Sequence, residues 1–188
     1  MRKIVVLLLS VLLYTDLVGQ TQVFKTYEDF VNGNGISMDS QNISWGSGIS
    51  NYVIFENNDE KKIKFQINKI WGFKYKGHLF RSVGKELAML TDSGKVNYYL
   101  NGSAGLGILA SGGNSGSIYS GQSACFLSVG GVNEKIYRMP LDKFKKLDYN
   151  EFKRDHSELE QLWNCFELNN IKNTYKNIRN CVIEFNKI

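Results

Sequence analysis

The spacing of apolar residues changes period beside Pro140, the only proline of the chain. Upstream, short apolar runs are separated by polar turns. Residues 52–55 and 63–67 flank Asn57-Asn58-Asp59-Glu60, residues 70–75 and 79–83 flank Lys76-Gly77-His78, and residues 87–90 and 96–100 flank Asp92-Ser93-Gly94. Residues 63–67 alternate apolar with polar, the period of a half-buried strand, and turns this short join antiparallel neighbours. Strands are expected again at 118–128 and 135–139. Downstream of Pro140 the period is helical. Phe144 and Leu147 mark a short first turn, Ser157-Glu158-Leu159-Glu160 reads as a capping box before Leu159, Leu162, Trp163 and Phe166, and Ile171, Tyr175, Ile178, Val182 and Phe185 fall on one helical face. Strands followed by helices predict an α+β fold: an antiparallel sheet, or a partly open barrel, of about eight strands followed by two or three C-terminal helices.

Two further segments bound this picture. Near the N-terminus, Thr26 can cap a short helix carrying Glu28 and Asp29 in its first turn, with Gly33 as its left-handed stop. In the middle, the 38 residues 96–133 hold no charged side chain, and residues 101–121 hold seven glycines and five serines. Glycine loses the most conformational entropy on ordering, so residues 101–117 are expected to be a mobile loop inserted between two strands. The expected organisation is a leader at 1–19, a β region at 20–140 carrying that loop, and a helical region at 141–188 packed on the sheet as part of the same domain.

The leader reading comes from Met1, Arg2 and Lys3, followed by an apolar run over residues 4–13 broken by Ser10. This has the form of a secretory signal peptide, and the run is shorter than the roughly 20 residues a spanning helix needs. Export to the periplasm or beyond is expected, with no membrane span after cleavage. Removal of residues 1–19 takes away Arg2, Lys3 and Asp16 and lowers the formal net charge from +5 to +4. Basic residues then alternate with acids and Asn instead of forming the stripe a nucleic-acid binder presents, so no nucleic-acid partner is expected. Three cysteines, Cys125, Cys165 and Cys181, follow the leader. An odd count leaves at least one outside any intramolecular pair. With Cys181 counted some eleven residues into the last helix, the rise per residue sets it far from Cys165 along an antiparallel hairpin, and no bridge between them is expected.

Three stretches carry a resemblance: residues 26–30, then residues 70–77 with Leu79-Phe80-Arg81, and the ending Glu184-Phe185-Asn186. In the order of these features the chain resembles a loose group of small, signal-peptide-bearing bacterial proteins of unknown function. The resemblance implies a compact sheet, a Gly-rich insertion between two strands and a helical C-terminus, and it implies no activity, cofactor or catalytic residue.

Candidate site residues are Trp71, Phe73, Tyr75 and Arg81. Alternating aromatics on a strand fill one face of a sheet, with Gly72 leaving room for a ring; exposed, the same rings with Arg81 beside them would suit a sugar or an apolar ligand. Other motifs imitate chemistry. Residues 112–117 have the look of a serine-nucleophile turn, but the only histidines are His78 and His156 and no triad accompanies them. Residues 105–110 satisfy a dinucleotide pattern without the strand–turn–helix context that phosphate binding needs. Two isolated histidines and three scattered cysteines offer no metal-ligand spacing, and no cofactor is expected. The function expected is a non-enzymatic exported module that binds a small ligand, an envelope component or a protein through its sheet or Gly-rich segment; a small extracytoplasmic hydrolase is the alternative.

Overall fold

The structure, a computed structural model, describes residues 21–40, 42–45, 51–57, 59–110, 124–140, 147–168 and 175–188. The leader at 1–19, the serine-containing turn at 112–117, the first residues of the strand expected at 118–128, Phe144 and Ile171 lie outside the described residues. The strands are β1 (Thr21–Phe24), β2 (Ile36–Met38), β3 (Asn42–Trp45), β4 (Tyr52–Glu56), β5 (Lys62–Gln66), β6 (Gly72–Tyr75), β7 (His78–Val83), β8 (Glu86–Asp92), β9 (Val96–Asn101), β10 (Ala124–Val129) and β11 (Tyr137–Pro140). The helices are α1 (Tyr27–Val31), α2 (Gly102–Ala110), α3 (Leu147–Asp155), α4 (Glu160–Leu168) and α5 (Tyr175–Phe185).

The class is α+β, as the change of period predicts. Eight antiparallel strands follow the order β11-β10-β9-β8-β7-β6-β1-β2, an open sheet and not a closed barrel, and β3-β4-β5 form a separate sheet of three. Strands β1, β2 and β3 are only three or four residues long and lie outside the runs singled out in the sequence. The chain parts into two compact units, one up to Lys85 and the other from Glu86, so strands β8 to β11 share a unit with helices α2 to α5.

In the first unit, local turn chemistry sets the register. Tyr75 pairs with His78, which leaves Lys76 and Gly77 as a two-residue loop with φ of 48° and 78°. Positive φ at both positions is the twist-compatible hairpin turn, and the glycine takes its share without strain. Helix α1 begins as its cap predicts: the Asp29 N–H donates to Thr26 Oγ1 at 3.1 Å, and the Thr26 N–H donates to Asp29 Oδ2 at 3.0 Å, a reciprocal capping box. Gly33, at φ 69°, lies just beyond its end.

In the second unit the structure corrects three expectations. Residues 102–110, expected within a mobile loop, form helix α2. Asn101 supplies the cap, its Oδ1 accepting from the Ser103 N–H at 3.1 Å and from the Ser103 hydroxyl at 2.7 Å. A Cβ at Gly105 would stand 2.7 Å from the Met89 Cβ. The glycine that lowers helix propensity by about 1 kcal/mol is therefore what allows this helix to close on β8. The second correction is at α4: the N–H groups of Leu162 and Trp163 both donate to the Leu159 carbonyl, at 3.0 and 3.1 Å. Leu159, not Ser157, is the residue whose carbonyl starts the helix, and the turn before it is closed by the Trp163 indole N–H donating to the His156 carbonyl at 3.0 Å.

The third correction is covalent. Cys165 and Cys181 form a disulfide, with Cα atoms 5.8 Å apart. Cys165 stands three residues before the end of α4 and Cys181 six after the described start of α5. The Cα separation lies within the range a disulfide spans. The opposite expectation counted Cys181 some eleven residues into the last helix, whereas the bridge sets it level with Cys165. Cys125 is buried with a free thiol, and burial pushes that thiol up to about 12.

Helix α5 is held on β9 by Asn186, the residue after its end. Asn186 Nδ2 donates to the Val96 carbonyl at 2.7 Å and its Oδ1 accepts from the Val96 N–H at 3.0 Å. The Lys95 carbonyl accepts from the Gly130 N–H, so Val96 points the other way, toward β8. That strand shifts register between Leu90 and Asp92, and the carboxamide takes up the ladder bonds β8 no longer supplies. Gly94 is bare for the same reason: a Cβ there would stand 2.6 Å from the Asn186 side chain. About two turns earlier, on α5, Arg179 makes a two-pronged bond to Asp92, at 2.7 and 3.0 Å.

Candidate functional site

The residues singled out on β6 and β7 divide between two environments. Phe73 is fully buried, stacked at 4.7 Å and 7° on Phe80 and met edge-on by Phe55 at 5.2 Å. Tyr75, two residues on and on the same face, is 5% exposed. Both are core, as alternation on a strand favours. Trp71 and Arg81 come together instead. The Arg81 guanidinium carbon lies 4.3 Å from the Trp71 ring centroid, within cation–π range, and the arginine as a whole is 7% exposed.

Trp71 is fixed through its backbone. Its N–H donates to the carbonyls of Phe24 and Lys25 at 2.9 and 3.1 Å, and its carbonyl accepts from the Ser82 N–H at 3.0 Å. The next residue must be glycine, because a Cβ at Gly72 would stand 2.3 Å from the Phe80 carbonyl oxygen. Helix α1 then supplies two rings that the sequence reading did not assign to this site. Tyr27 and Phe30, three apart and so on one helical face, lie 5.4 and 4.7 Å from the Trp71 ring and 6.2 Å from each other. All three rings are half-buried. The buried Phe24 meets Phe30 edge-on at 5.3 Å, and the exposed Lys74 places its Nζ 5.1 Å from the Phe30 centroid. The i, i+3 spacing of Tyr27 and Phe30 was visible in the sequence. Their meeting with Trp71 depends on β1 pairing with β6, which was not.

Polar clusters of the second unit have their bonding engaged in structure. The Asp155 carboxylate accepts from the Tyr137 hydroxyl at 2.9 Å, from Lys135 at 3.3 Å and from Arg154 at 2.9 Å. The Arg154 guanidinium, with the Tyr137 hydroxyl and Lys135 beside it, holds this carboxyl down to about 2, which makes it a poor proton acceptor. His156 sits against the rings of Phe152 and Tyr137, at 5.2 and 5.6 Å, while His78 is exposed at the start of β7. Deeper in, Asn97 Nδ2 donates to the Gly130 carbonyl at 2.8 Å and to Ser128 Oγ at 3.1 Å, and Ser128 Oγ lies 3.2 Å from the Tyr99 hydroxyl. This is a satisfied buried network of the kind that fixes one packing arrangement. An open hollow of about 290 Å3 lies beside the disulfide, with Phe185 and Ile188 on its wall.

Residues 105–110, which match the dinucleotide pattern, lie inside α2 and not before its first turn, so their N–H groups cannot form the anion cradle of a helix start. Among the described residues no group of three His, Cys, Asp or Glu side chains is placed to hold a metal ion. Comparison with protein-family models, with curated proteins and with solved structures finds no match to this chain.

Proposed function

We propose that this chain is an exported, soluble, non-enzymatic binding module, and that its ligand surface is the ring cluster Tyr27, Phe30 and Trp71 backed by Arg81. The observation that carries the reading is the packing of three half-buried rings within 4.7 to 6.2 Å of one another, on a tryptophan fixed through its backbone. Rings held in place accept the apolar face of a sugar or another flat ligand at little entropic cost. Lys74 beside the rings adds a donor, and Arg81 beneath them stiffens the indole.

Export is supported by the form of residues 1–19 and by the Cys165–Cys181 pairing, which is at home in an oxidising compartment. Among the described residues no helix is long and apolar enough to cross a membrane.

The test is a glycan-array screen followed by titration of the best saccharide, with chitohexaose as a fixed reference probe, against the native protein and Trp71→Ala. The expected result is binding that Trp71→Ala weakens at least tenfold, about 1.4 kcal/mol, with an unchanged fold by amide NMR. Retained affinity in that variant would remove the cluster from the site. An untargeted activity panel runs alongside, and turnover abolished by His78→Ala or Ser115→Ala would make the protein a hydrolase instead.

A further inference from the structure

We propose that the outer edge of β5 is a strand-docking site for an extended, acidic protein segment whose residues alternate acidic and apolar. Strand β5 ends its three-stranded sheet, and among the described residues no strand pairs with its far side. Backbone direction along it follows from two bonds: the Ile67 N–H donates to the Asn51 carbonyl, and the Lys61 carbonyl accepts from the Asn57 N–H. With the unbroken register from Tyr52↔Gln66 to Glu56↔Lys62, residues 61, 63, 65 and 67 bond toward β4. The N–H and C=O of Lys62 and Lys64 therefore point outward, as an incoming strand requires.

The two faces of that edge specify the occupant. Phe65 packs on Phe55 at 5.8 Å, and Ile63, on the same face, is 46% exposed. A neighbouring strand would cover it with an apolar side chain. On the other face stand Lys62 and Lys64, both exposed, with Lys62 3.8 Å from Glu56 on its inner side. Side chains directly across an antiparallel pair interact, and like charges there repel. A second copy of β5 laid antiparallel would set lysine against lysine, which is how natural edges avoid pairing with themselves. An acidic strand meets attraction at the same positions and apolar surface at the alternate ones, so its docking combines backbone bonds with charge complementarity.

The experiment uses the 15N-labelled protein with two capped soluble peptides, one alternating glutamate with valine and one alternating lysine with valine. The glutamate peptide is expected to slow amide exchange of Lys62 and Lys64 about tenfold or more, to leave Ile63 and Phe65 unchanged because they already bond to β4, and to weaken with salt. The lysine peptide is expected to do nothing. In Lys62→Glu/Lys64→Glu, with its amide spectrum showing the β4–β5 pairing intact, the preference should reverse. The proposal is overturned if the glutamate peptide leaves these amides unprotected, if both peptides protect them equally, or if the charge reversal leaves the preference unchanged.

Discussion

In the first unit, Phe73 lies flat on Phe80 and takes the edge of Phe55, while Tyr27 and Phe30 gather on Trp71. In the second, Asn186 clasps Val96 and Arg179 clasps Asp92, across 90 and 87 residues of chain, and a disulfide joins α4 to α5. Rings pack in both units, as Phe152 on Trp163 in the second shows, and in the second they are joined by directional and covalent bonds where a helix meets a distant strand. The contrast has a physical basis. A hairpin such as β6–β7 closes a small loop, and burial of Phe73 on Phe80 across it works against a small entropy cost. The last helix returns over a long stretch of chain, and its position is specified by groups that bond in one geometry only.

Removing the central ring of the first unit is the largest perturbation expected. Phe73→Ala leaves a cavity between Phe55, Phe80 and Val23 and should cost about 3–5 kcal/mol, read as a lowered urea midpoint. Trp71→Ala, at the half-buried cluster, should cost clearly less. Equal losses would place the stability of this unit in the surface rings and dissolve the distinction between its core and its site.

The disulfide comes next. Cys165→Ser with Cys181→Ser removes a cross-link of sequence separation 16 and should cost about 3 kcal/mol. A thiol count checks the pairing directly: one reactive thiol in non-reducing denaturant, three after reduction, and none in the native state because Cys125 is buried. The same thiol links folding to alkaline pH. Burial raises it from 9.0 to about 12 in the folded chain, so its contribution is complete below pH 9 and is lost as pH rises from 9 toward 12. Three thiols in denaturant without reductant would leave the second unit with its polar clasps alone.

Asn186→Ala is smaller again. It strands both backbone groups of Val96 in a partly buried position, at a cost of about 2 kcal/mol, and should speed amide exchange at Val96 and along α5 before anything in the first unit responds. Asn186→Asp, which keeps the acceptor but loses the donor to the Val96 carbonyl, should recover only part of that loss. If Asn186→Ala loosens both units equally, the clasp is not local to the second.

How much of this could be read from the sequence follows the same division. The hairpins β4–β5, β6–β7 and β8–β9 were legible because alternation and turn residues lie within a few positions of each other. The cap of α1 was legible for the same reason. Strands β1 and β2 were not, because segments of three or four residues are too short to show a period and become strands only through the partners they find, β6 and each other. Helix α2 was not legible because its glycines oppose helix formation locally, while one of them, Gly105, permits the close approach to Met89, a tertiary effect that overrides propensity. Of the four candidate site residues, Trp71 and Arg81 meet while Phe73 and Tyr75 face the core; the contact of Tyr27 and Phe30 with Trp71 follows from the pairing of β1 with β6, which spacing in the sequence does not reveal. The disulfide was not legible because an axial count along two helices depends on how their ends are aligned, which spacing alone does not fix.

The smallest effect expected concerns a polar cluster that belongs to neither clasp nor core. Asp155 is held below its ordinary value of 3.8, at about 2, first by the Arg154 guanidinium and then by the Tyr137 hydroxyl. A carboxyl lowered by folding contributes stability that is fully present above its unfolded value and is lost as pH falls through the folded one, so the window is between pH 4 and 2. The group is solvent-exposed and the bonds around it are screened, so the loss should shift the acid transition only slightly. Tyr137→Phe removes one bond and leaves Arg154 and Lys135 in place. The Asp155 carboxyl carbon, followed by NMR, should then titrate above 2 yet below 3.8, and more of its acid loss should fall near pH 4. Because Tyr137 lies on β11 and packs its ring on Phe152 of α3 at 5.0 Å, the phenylalanine keeps the packing and isolates the hydroxyl. An unchanged titration would mean that the hydroxyl does not lower this carboxyl and that β11 and α3 are held together by rings, as the first unit is.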